Sequence, residues 1–464
     1  MELMDFEALK EKFDKLIEEK KLKDLQNELE NTHAFDIAEY LSDLADEKPP
    51  SAVKLFRLLS KEKGADVFAE LDAVEQEIII TALTDIELSN IVEDLYVDDA
   101  VDMMEELPAN LVKRVMRIAT PETRKLINQF LKYPVDSTGS IMTAEFVDLK
   151  KYLNVREAVA RIRRIGEDTE TIYVCYVTSA DRKLEGVVSF KKLLLSDEDE
   201  IIEDIMDTNV LSVYTTDDRE ETAKIISDYD LLALPVVDTE RRLVGIVTVD
   251  DVIDVIQEEA AKDLEMMAGM LPSDKPYSRT SVWEIWQKRS PWLIFLMLSA
   301  TFTRVVIKKY EGALSSYAIL TGFIPMIMAT GGNSGSQSST SIISALSARD
   351  IELKDAGWIV WKEFKIAVLC GLALAAVNFF KLLLIDKMLL GESLISIPVI
   401  LTICISMFMV VIFAKSVGSL LPLFAKSLKL DPAVMASPII TTLTDTFSLL
   451  IYFYFATLIL KIGG

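Results

Sequence analysis

A single carboxylate lies within a long apolar segment near the end of the chain. Asp445 occurs in the run PIITTLTDTFSLLIYFYF, which contains no other charged residue. An ionised side chain is costly inside a bilayer, so such a residue usually faces a pore or a polar partner. We interpret it as a cation site, to which Thr441, Thr442 and Thr444, within one turn, could add hydroxyl or backbone oxygens. The alternative is an ion pair with Arg304, a base in another apolar segment.

A second apolar segment contains an unusual polar run, ATGGNSGSQSST, at residues 329–340. Its three glycines permit a helix to unwind, and Asn333, Ser336 and Gln337 supply dipoles. Irregular backbone at membrane depth is tolerated only where it is buried in protein or lines a water-filled cavity. We therefore expect this run to line a pore. The alternative is close helix packing through Gly331 and Gly335, which have the spacing of a GxxxG contact.

The residue types at these two places favour a hard, hydrated cation. Magnesium gives up its water reluctantly and is typically held by one or two carboxylates plus several waters. A potassium-type filter would instead need a ring of carbonyl groups. His33 is the only histidine, so metal sites built on imidazole and His-based acid–base catalysis are nearly excluded. The residues predict a divalent cation, with magnesium ahead of calcium, manganese or cobalt.

Further carboxylates are grouped in the charged part of the chain. Asp98 and Asp102 are spaced i, i+4 and share one helix face, and Asp251 and Asp254 form a similar pair. Two more acids follow on the same predicted helix: Glu259 and Asp263. Acidic faces repel each other until a divalent cation lies between them. The simpler interpretation of any one of these acids is a solvated surface.

The chain divides into two parts of opposite composition. Residues 1–290 hold 64 acidic and 36 basic residues, a net charge of −28, whereas residues 291–464 carry a net charge of +4. Spanning a bilayer takes about 20 apolar residues, and the second part contains long charge-free stretches. We predict five transmembrane helices, at about 291–308, 315–343, 364–385, 394–421 and 433–460. This composition excludes a simple soluble enzyme, and a nucleic-acid binder would need clustered basic residues.

The loops between the predicted spans indicate an orientation in the cell membrane. With the acidic part in the cytoplasm, the inner side carries nine basic residues: Lys288, Arg289, Arg349, Lys354, Lys362, Lys365, Lys415, Lys426 and Lys429. The outer side carries four, so the asymmetry satisfies the positive-inside rule. We predict a multi-pass protein with a cytoplasmic N-terminus and the C-terminus outside.

The first part contains a helical region and an internal duplication. Residues 1–132 are rich in Leu, Glu and Lys and predict short helices stacked as a solenoid. In residues 137–256, SIMTAEFV is repeated as DIMDTNVL, and GVVSFKKLL as GIVTVDDVI. Each half, 137–198 and 200–256, predicts an entry strand, a helix, two strands and a helix. Residues 257–287 predict a linking helix, broken near 269–276, before a pore domain at 288–464.

The duplication resembles a tandem pair of CBS domains, most specifically in LPVVDTERRLVGIVTVDDVI. Together with PMIMATGGNSGSQSS and DPAVMASPIITTLTD in the membrane part, the order of domains resembles the MgtE-type magnesium transporters and channels. The resemblance covers essentially the whole chain. It implies a homodimer with the pore on the dimer axis, selectivity for magnesium set by Asp445, and three further pore residues: Asn333, Gln337 and Thr441.

The resemblance also implies that cytoplasmic magnesium closes the pore. In the family, the helical domain docks on the CBS pair through magnesium held by acidic residues, and six positions match here: Asp98, Asp102, Asp251, Asp254, Glu259 and Asp263. Lys262 occupies a position where relatives have an acid, which would weaken one site. CBS pairs often bind adenine nucleotides, so the resemblance also implies ATP in the cleft between the repeats.

This sequence departs from the family pattern at three membrane positions. Ser336 replaces a common Asn, Ser437 replaces Asn or Gly, and Ser448 replaces a common Gly. These changes bear on pore radius and permeation rate.

Two other functions are compatible with parts of the sequence. The first is transport of another divalent cation, such as cobalt or manganese, although softer metals favour His, Cys or Met ligands, which Asp445 lacks in its sequence neighbourhood. The second is a membrane-anchored CBS nucleotide sensor without transport. An enzyme is not expected, because HExxH, GxSxG and P-loop motifs are lacking.

Overall fold

The structure is a computed structural model of the 464-residue chain. It describes residues 6–273, 277, 280–348, 350–390, 394–435 and 437–461. The chain forms two compact units, Met1–Gln257 and Glu258–Gly464, and each is described separately below.

The first unit begins with ten short amphipathic helices. Their bounds are α1 (Phe6–Glu18), α2 (Leu22–Asn31), α3 (Ala34–Glu47), α4 (Pro49–Phe56), α5 (Lys61–Ala69), α6 (Ala73–Ala82), α7 (Asp85–Asp94), α8 (Val97–Glu106), α9 (Ala109–Ile118) and α10 (Pro121–Phe130). Local sequence starts several of them: Thr84 and Glu87 form a capping box at α7, and Thr120 caps α10 ahead of a proline. Helix α5 packs on α7, α7 on α9, and α8 on α10. The predicted stack of short helices is confirmed.

Two repeats of three strands follow. The first comprises β1 (Phe146–Leu149), α11 (Val155–Ile165), β2 (Thr171–Thr178), β3 (Leu184–Ser189) and α12 (Phe190–Leu195). After α13 (Ile202–Ile205), the second comprises β4 (Val213–Tyr214), α14 (Arg219–Asp228), β5 (Ala233–Val237), β6 (Leu243–Thr248) and α15 (Val249–Met267). In each sheet the entry strand is parallel to its neighbour, and the next pair is antiparallel. The predicted duplication is confirmed.

One apolar core joins the helical stack to the second repeat, extending from Leu9 in α1 to Val255 in α15. Thr248 ends β6, and α15 begins at the next residue. The sheet therefore fixes the first turn of α15, which carries Asp251, within the same packed unit as α8.

The predicted linking segment, 257–287, begins inside a helix. Helix α15 runs without interruption from Val249 to Met267. It ends before Gly269, which has a left-handed φ of 74°. The predicted break near 269–276 lies partly outside the described residues, and the chain becomes helical again at Val282.

The second unit is helical. Its helices are α16 (Val282–Lys309), α17 (Glu311–Ser316), α18 (Ile324–Ser347), α19 (Ala356–Phe380), α20 (Ile397–Ser427) and α21 (Ser437–Leu460). A 3₁₀ turn, Ala318–Phe323, leads into α18, and α19 continues as a π-helix, Lys381–Leu389. Helix α20 packs against α18, α19 and α21.

Four segments are long and apolar enough to cross a membrane: Val282–Lys309, Leu353–Leu389, Ile397–Ser427 and Pro438–Leu460. Among the described helices, α18 is 24 residues long but does not join this group. Its Gly-, Ser- and Asn-rich run lowers its apolar character. The prediction of a fifth span there stays a prediction.

The expected unwinding of the glycine-rich run is wrong, because residues 331–337 lie inside the continuous helix α18. The glycines serve close packing instead. A Cβ at Gly335 would lie 2.7 Å from Ile440 Cγ2, and a Cβ at Gly418 would lie 2.2 Å from the Gly335 carbonyl oxygen. At these glycines α18 meets α20 and α21 through bare backbone, as in small-residue helix packing, while the pore-lining role of Asn333 and Gln337 stays a prediction.

Candidate cation sites

An open cleft of about 480 Å³ surrounds Asp445. It lies between α18 and α21 and is lined by Ile324, Pro325, Met328, Ala329, Gly332, Asn333, Ser336, Thr441 and Asp445. Three of the four predicted pore residues, Asp445, Asn333 and Thr441, therefore share one cleft. The polar groups that line it are all oxygen or amide groups, the ligand types that hard cations prefer.

Helix geometry selects which threonine reaches this cleft. Thr441 lies one turn before Asp445, opposite Gly332, where a Cβ would meet Thr441 Cγ2 at 3.4 Å. Thr442 donates instead to the Pro438 carbonyl over 3.1 Å, and Thr444 donates to the Ile440 carbonyl over 2.8 Å. Of the three threonines suggested as oxygen donors, Thr441 is the one that lines the cleft.

Gln337 is in a neighbouring cleft of about 780 Å³ and is absent from the lining of the Asp445 cleft. Asn333 and Ser336 line both clefts, so the two form one polar path along α18. The second cleft also contains Glu363 and Lys415. Lys415 was expected near an inner loop, but it is buried within α20.

The alternative partner for Asp445 is not supported. Among the described residues, no ion pair joins Asp445 to Arg304. Asp445 is half-buried and faces the cleft. Ser448, one of the three departures from the family pattern, lies outside the cleft lining and packs its hydroxyl against Gly331. The side chain of Ser437 lies outside those that the structure describes.

The first unit brings acids from α8 and α15 together. The pKa of Asp98 lies well above its usual range. Burial is the main cause, and the negative charges of Asp99, Asp251 and Glu170 add to it. Burial and the nearby charge of Asp251 raise the pKa of Asp99 to about 7. Asp102 lies at the exposed rim of this group, and burial of its carboxyl together with the charge of Asp99 raises its pKa to about 7. The charges of Asp98 and Asp102 on α8 thus interact with that of Asp251 on α15. We call these three residues with Asp99 and Glu170 the acidic groove.

The groove draws acids from more than the two predicted helices. Glu170, just before β2, has its pKa raised to about 7 by burial and by Asp250 and Asp251. Burial also raises the pKa of Asp251 to about 6, although a hydrogen bond from Thr248 of 2.6 Å to its carboxylate lowers it. The sequence analysis did not predict Glu170, because this residue is far in sequence from the pairs on α8 and α15 and follows no spacing pattern.

The groove suits a hydrated hard cation better than a dehydrated one. Within the described ranges, no three acids, histidines or cysteines converge closely enough to hold a metal directly. The donors are carboxylates whose pKa values are raised first by burial and then by the charges of neighbouring acids. Magnesium keeps several waters and needs only one or two carboxylates, so these residues fit it through bound water.

The remaining predicted sensor residues lie elsewhere along α15. Asp254 lies near Glu70, and burial raises the pKa of both carboxyls. Glu259 and Asp263 are half-buried residues of the second unit. The Lys262 ammonium lies 3.0 Å from Glu259 Oε1, which supports the expectation that Lys262 weakens a cation site there.

Comparison with known proteins gives the family. The sequence profile described as "Divalent cation transporter" (MgtE) matches residues 324–455, and the profiles of the MgtE intracellular N domain and the CBS domain match residues 32–136 and 202–258. The magnesium transporter MgtE of Thermus thermophilus is 34% identical over 441 residues, covering 94% of this chain and 95% of that protein. The chain belongs to the MgtE family of magnesium transporters.

Two further relatives agree with the MgtE assignment. The magnesium transporter MgtE of Enterococcus faecalis is 37% identical over 338 residues, 72% of each chain. The crystal structure of the soluble part of a magnesium transporter is 29% identical and covers 55% of this chain and 100% of that one, with a TM-score of 0.53. MgtE proteins are transporters and not enzymes, so the expectation of no enzymatic activity is confirmed.

Proposed function

We propose that this protein carries magnesium across the cell membrane through the Asp445 cleft. The observation that carries the proposal is the convergence of Asp445, Asn333 and Thr441 in one open cleft. The relatives named as magnesium transporters support the choice of ion. Net flux would be passive, driven by an inside-negative potential that is worth about 2.3 kcal/mol per charge per 100 mV.

The size of the cleft supports passage of a hydrated ion. Magnesium is octahedral, and six waters occupy about 180 Å³ at roughly 30 Å³ each, against a cleft volume of about 480 Å³. One carboxylate with neutral oxygens can hold such an ion through its water shell. Asn333 is exposed and Asp445 half-buried in the single chain. A second copy of the chain would therefore close the cleft, with two Asp445 carboxylates facing each other across the dimer axis.

The acidic groove would act as the magnesium sensor. Magnesium between Asp98, Asp102 and Asp251 would reduce the mutual repulsion that adds to burial in raising their pKa values, and so hold α8 against α15. Asp254, Glu259 and Asp263 would contribute to further sites on α15. This helix ends at Met267, and Gly269 just beyond it packs against Pro438, where an added Cβ would lie 2.6 Å from Pro438 Cγ. Pro438 is in the first turn of α21, the helix that carries Asp445. That contact would connect the sensor helix to the pore helix.

The domain bounds and the orientation in the membrane are proposed as the sequence predicts them. We propose an acidic helical domain (1–132), a CBS pair (137–256), a linking helix (257–287) and a five-span pore domain (288–464). The N-terminus would be cytoplasmic and the C-terminus outside. Gln337, in the adjoining cleft, would contact the ion after Asn333 along the polar path. ATP in the cleft between the CBS repeats is a prediction from the CBS resemblance alone.

The direct test is magnesium uptake into proteoliposomes by wild type and Asp445→Ala, with low or high magnesium on the cytoplasmic face. We expect the variant to lose uptake and the wild type to close at high magnesium. Thr442→Val is a matched control, because Thr442 is near Asp445 but outside the cleft lining. Uptake by Asp445→Ala equal to wild type would overturn the pore assignment. Preferential passage of cobalt or manganese by the wild type would instead support transport of another divalent cation.

A further inference from the structure

A buried group of charged residues lies beside the Asp445 cleft. Glu363 of α19 and Lys415 of α20 are 8% and 5% exposed. Ser338 of α18 joins them: its hydroxyl donates to Glu363 Oε2 over 2.6 Å, and Lys415 Nζ donates to Ser338 Oγ over 3.3 Å. Three helices thus contribute one residue each to a bridge between opposite charges. We call these three residues the bridged group.

The bridged group lines the path already assigned to the ion. It lies in the cleft of about 780 Å³ that contains Gln337 and shares Asn333 and Ser336 with the Asp445 cleft. An ion that leaves Asp445 along the polar face of α18 therefore meets Glu363 as the next carboxylate. Within the described lining of the two clefts, Asp445 and Glu363 are the only acids.

Physical chemistry indicates why a lysine belongs beside that carboxylate. A pore must bind its ion well enough to admit it and weakly enough to release it. A buried, uncompensated carboxylate would attract a divalent cation strongly, because charge interactions grow as the local dielectric falls. The Lys415 ammonium, linked to Glu363 through one hydroxyl, makes the pair neutral overall and repels the entering cation.

We propose that Glu363 is a second, weak binding position for the magnesium ion, and that Lys415 keeps its affinity low enough for the ion to leave. This inference rests on the proposed Asp445 pore. A purely structural role for the bridged group would have a different consequence. Removing one partner of a buried pair would then reduce stability without changing the dependence of uptake on magnesium concentration.

The test is the magnesium concentration dependence of uptake in proteoliposomes of the full-length chain. We expect Lys415→Met to lower the half-saturating concentration about tenfold and also to lower the maximal rate, since the ion binds tighter and leaves more slowly. Glu363→Gln should lower the maximal rate without lowering the half-saturating concentration, because an uncompensated ammonium remains. The double variant should return to within about threefold of the wild-type half-saturation.

Three controls keep the result interpretable. Lys415→Arg preserves the charge and should keep the wild-type half-saturation. Lys381→Met removes another lysine of the membrane unit, paired to Asp386 over 2.6 Å but outside both cleft linings, and should leave half-saturation unchanged. Ser338→Ala severs the bridge and retains both charges. It should shift half-saturation in the same direction as Lys415→Met, and it replaces that variant if Lys415→Met does not fold.

The outcomes separate this inference from the pore assignment. Wild-type half-saturation in both Lys415→Met and Ser338→Ala would overturn the weak binding position, even if Asp445→Ala abolishes uptake. Equal effects of Lys415→Met alone and in combination with Glu363→Gln would also overturn it, because the tighter binding would then not depend on the Glu363 carboxylate. Wild-type uptake by Asp445→Ala would overturn the pore assignment itself.

Discussion

Small residues determine how closely the pore-lining helix approaches its neighbours. Gly331 packs against Ser448, and Gly335 packs against Ile440 and the Ala414 carbonyl. A different face of α18 presents Asn333 and, four residues later, Gln337 to the clefts. The packing of these glycines therefore determines where the polar groups of α18 lie relative to Asp445.

Gly335→Ala should destabilise the membrane unit by about 1–3 kcal/mol, as overpacking typically does. The added Cβ would lie 2.7 Å from Ile440 Cγ2 and 3.2 Å from a backbone oxygen. The measurement is thermal unfolding of the detergent-solubilised protein. Gly357→Ala is the matched control, because nothing lies within 4 Å of its added Cβ. Equal melting temperatures for the two variants would show that α18 can move further from α20 and α21 without loss of stability.

At the scale of elements, the acidic groove places the carboxylates of α8 close to those of α15. Helix α8 and the first turn of α15 are held in place by an apolar core that includes Val101 and Val252. The core thus holds carboxylates close together, and burial with their mutual repulsion raises their pKa values. Protons or cations reduce that repulsion, which makes the contact between α8 and α15 sensitive to ions.

In magnesium-free buffer, the groove should become more stable as pH falls from about 8 to 6. The pKa values of Asp99 and Asp102 are about 7 in the folded chain and about 3.9 when unfolded. The folded state therefore binds protons more tightly, and its free energy of unfolding rises as pH decreases through about 7. Amide hydrogen exchange of the α8 peptide, measured on the full-length protein, should slow accordingly. Exchange that accelerates on acidification would contradict this sign.

Magnesium should stabilise the acidic groove at a pH where its carboxyls are not protonated. At pH 8, adding magnesium should slow exchange in α8, and removing it with a chelator should reverse the effect. The double variant Asp98→Asn/Asp102→Asn should already be slow without magnesium and should respond little to it. Glu122→Gln, which removes an exposed acid of α10, should respond as the wild type. An undiminished magnesium response in the double variant would place the sensor elsewhere.

At the scale of the whole molecule, the number of spans decides on which side the chain ends. Four helices are apolar enough to span, and α18 is long enough but more polar. Its glycine and serine face packs against α20 and α21 while its other polar residues line the two clefts. Polar side chains in such a helix are sheltered from lipid, so low hydropathy does not prevent it from spanning.

Five spans place the C-terminus opposite the N-terminus, whereas four would place both on one side. After replacement of the three native cysteines, Lys461→Cys should react with an impermeant maleimide added outside intact cells. Glu352→Cys, in the loop between α18 and α19, should react only after permeabilisation. The reversed pattern, with Glu352→Cys labelled from outside and Lys461→Cys labelled only after permeabilisation, would exclude α18 as a span.

The sequence by itself determined the features that depend on local pattern and composition. The apolar run around Asp445, the acidic first part, the duplicated strand pattern of residues 137–256 and the stack of short helices were all predicted correctly. Periodicity, capping residues and hydropathy act over a few turns, so they can be read without knowledge of distant contacts.

Only the tertiary structure decided which residues meet. It showed that α18 stays helical with its glycines packed against α20 and α21, and that Gln337 lies in a second cleft. It also brought Glu170 into the acidic groove and Lys415 to Ser338, 77 positions away. The physical reason is that charge compensation and close packing depend on distances between separate helices, and no sequence spacing encodes those distances.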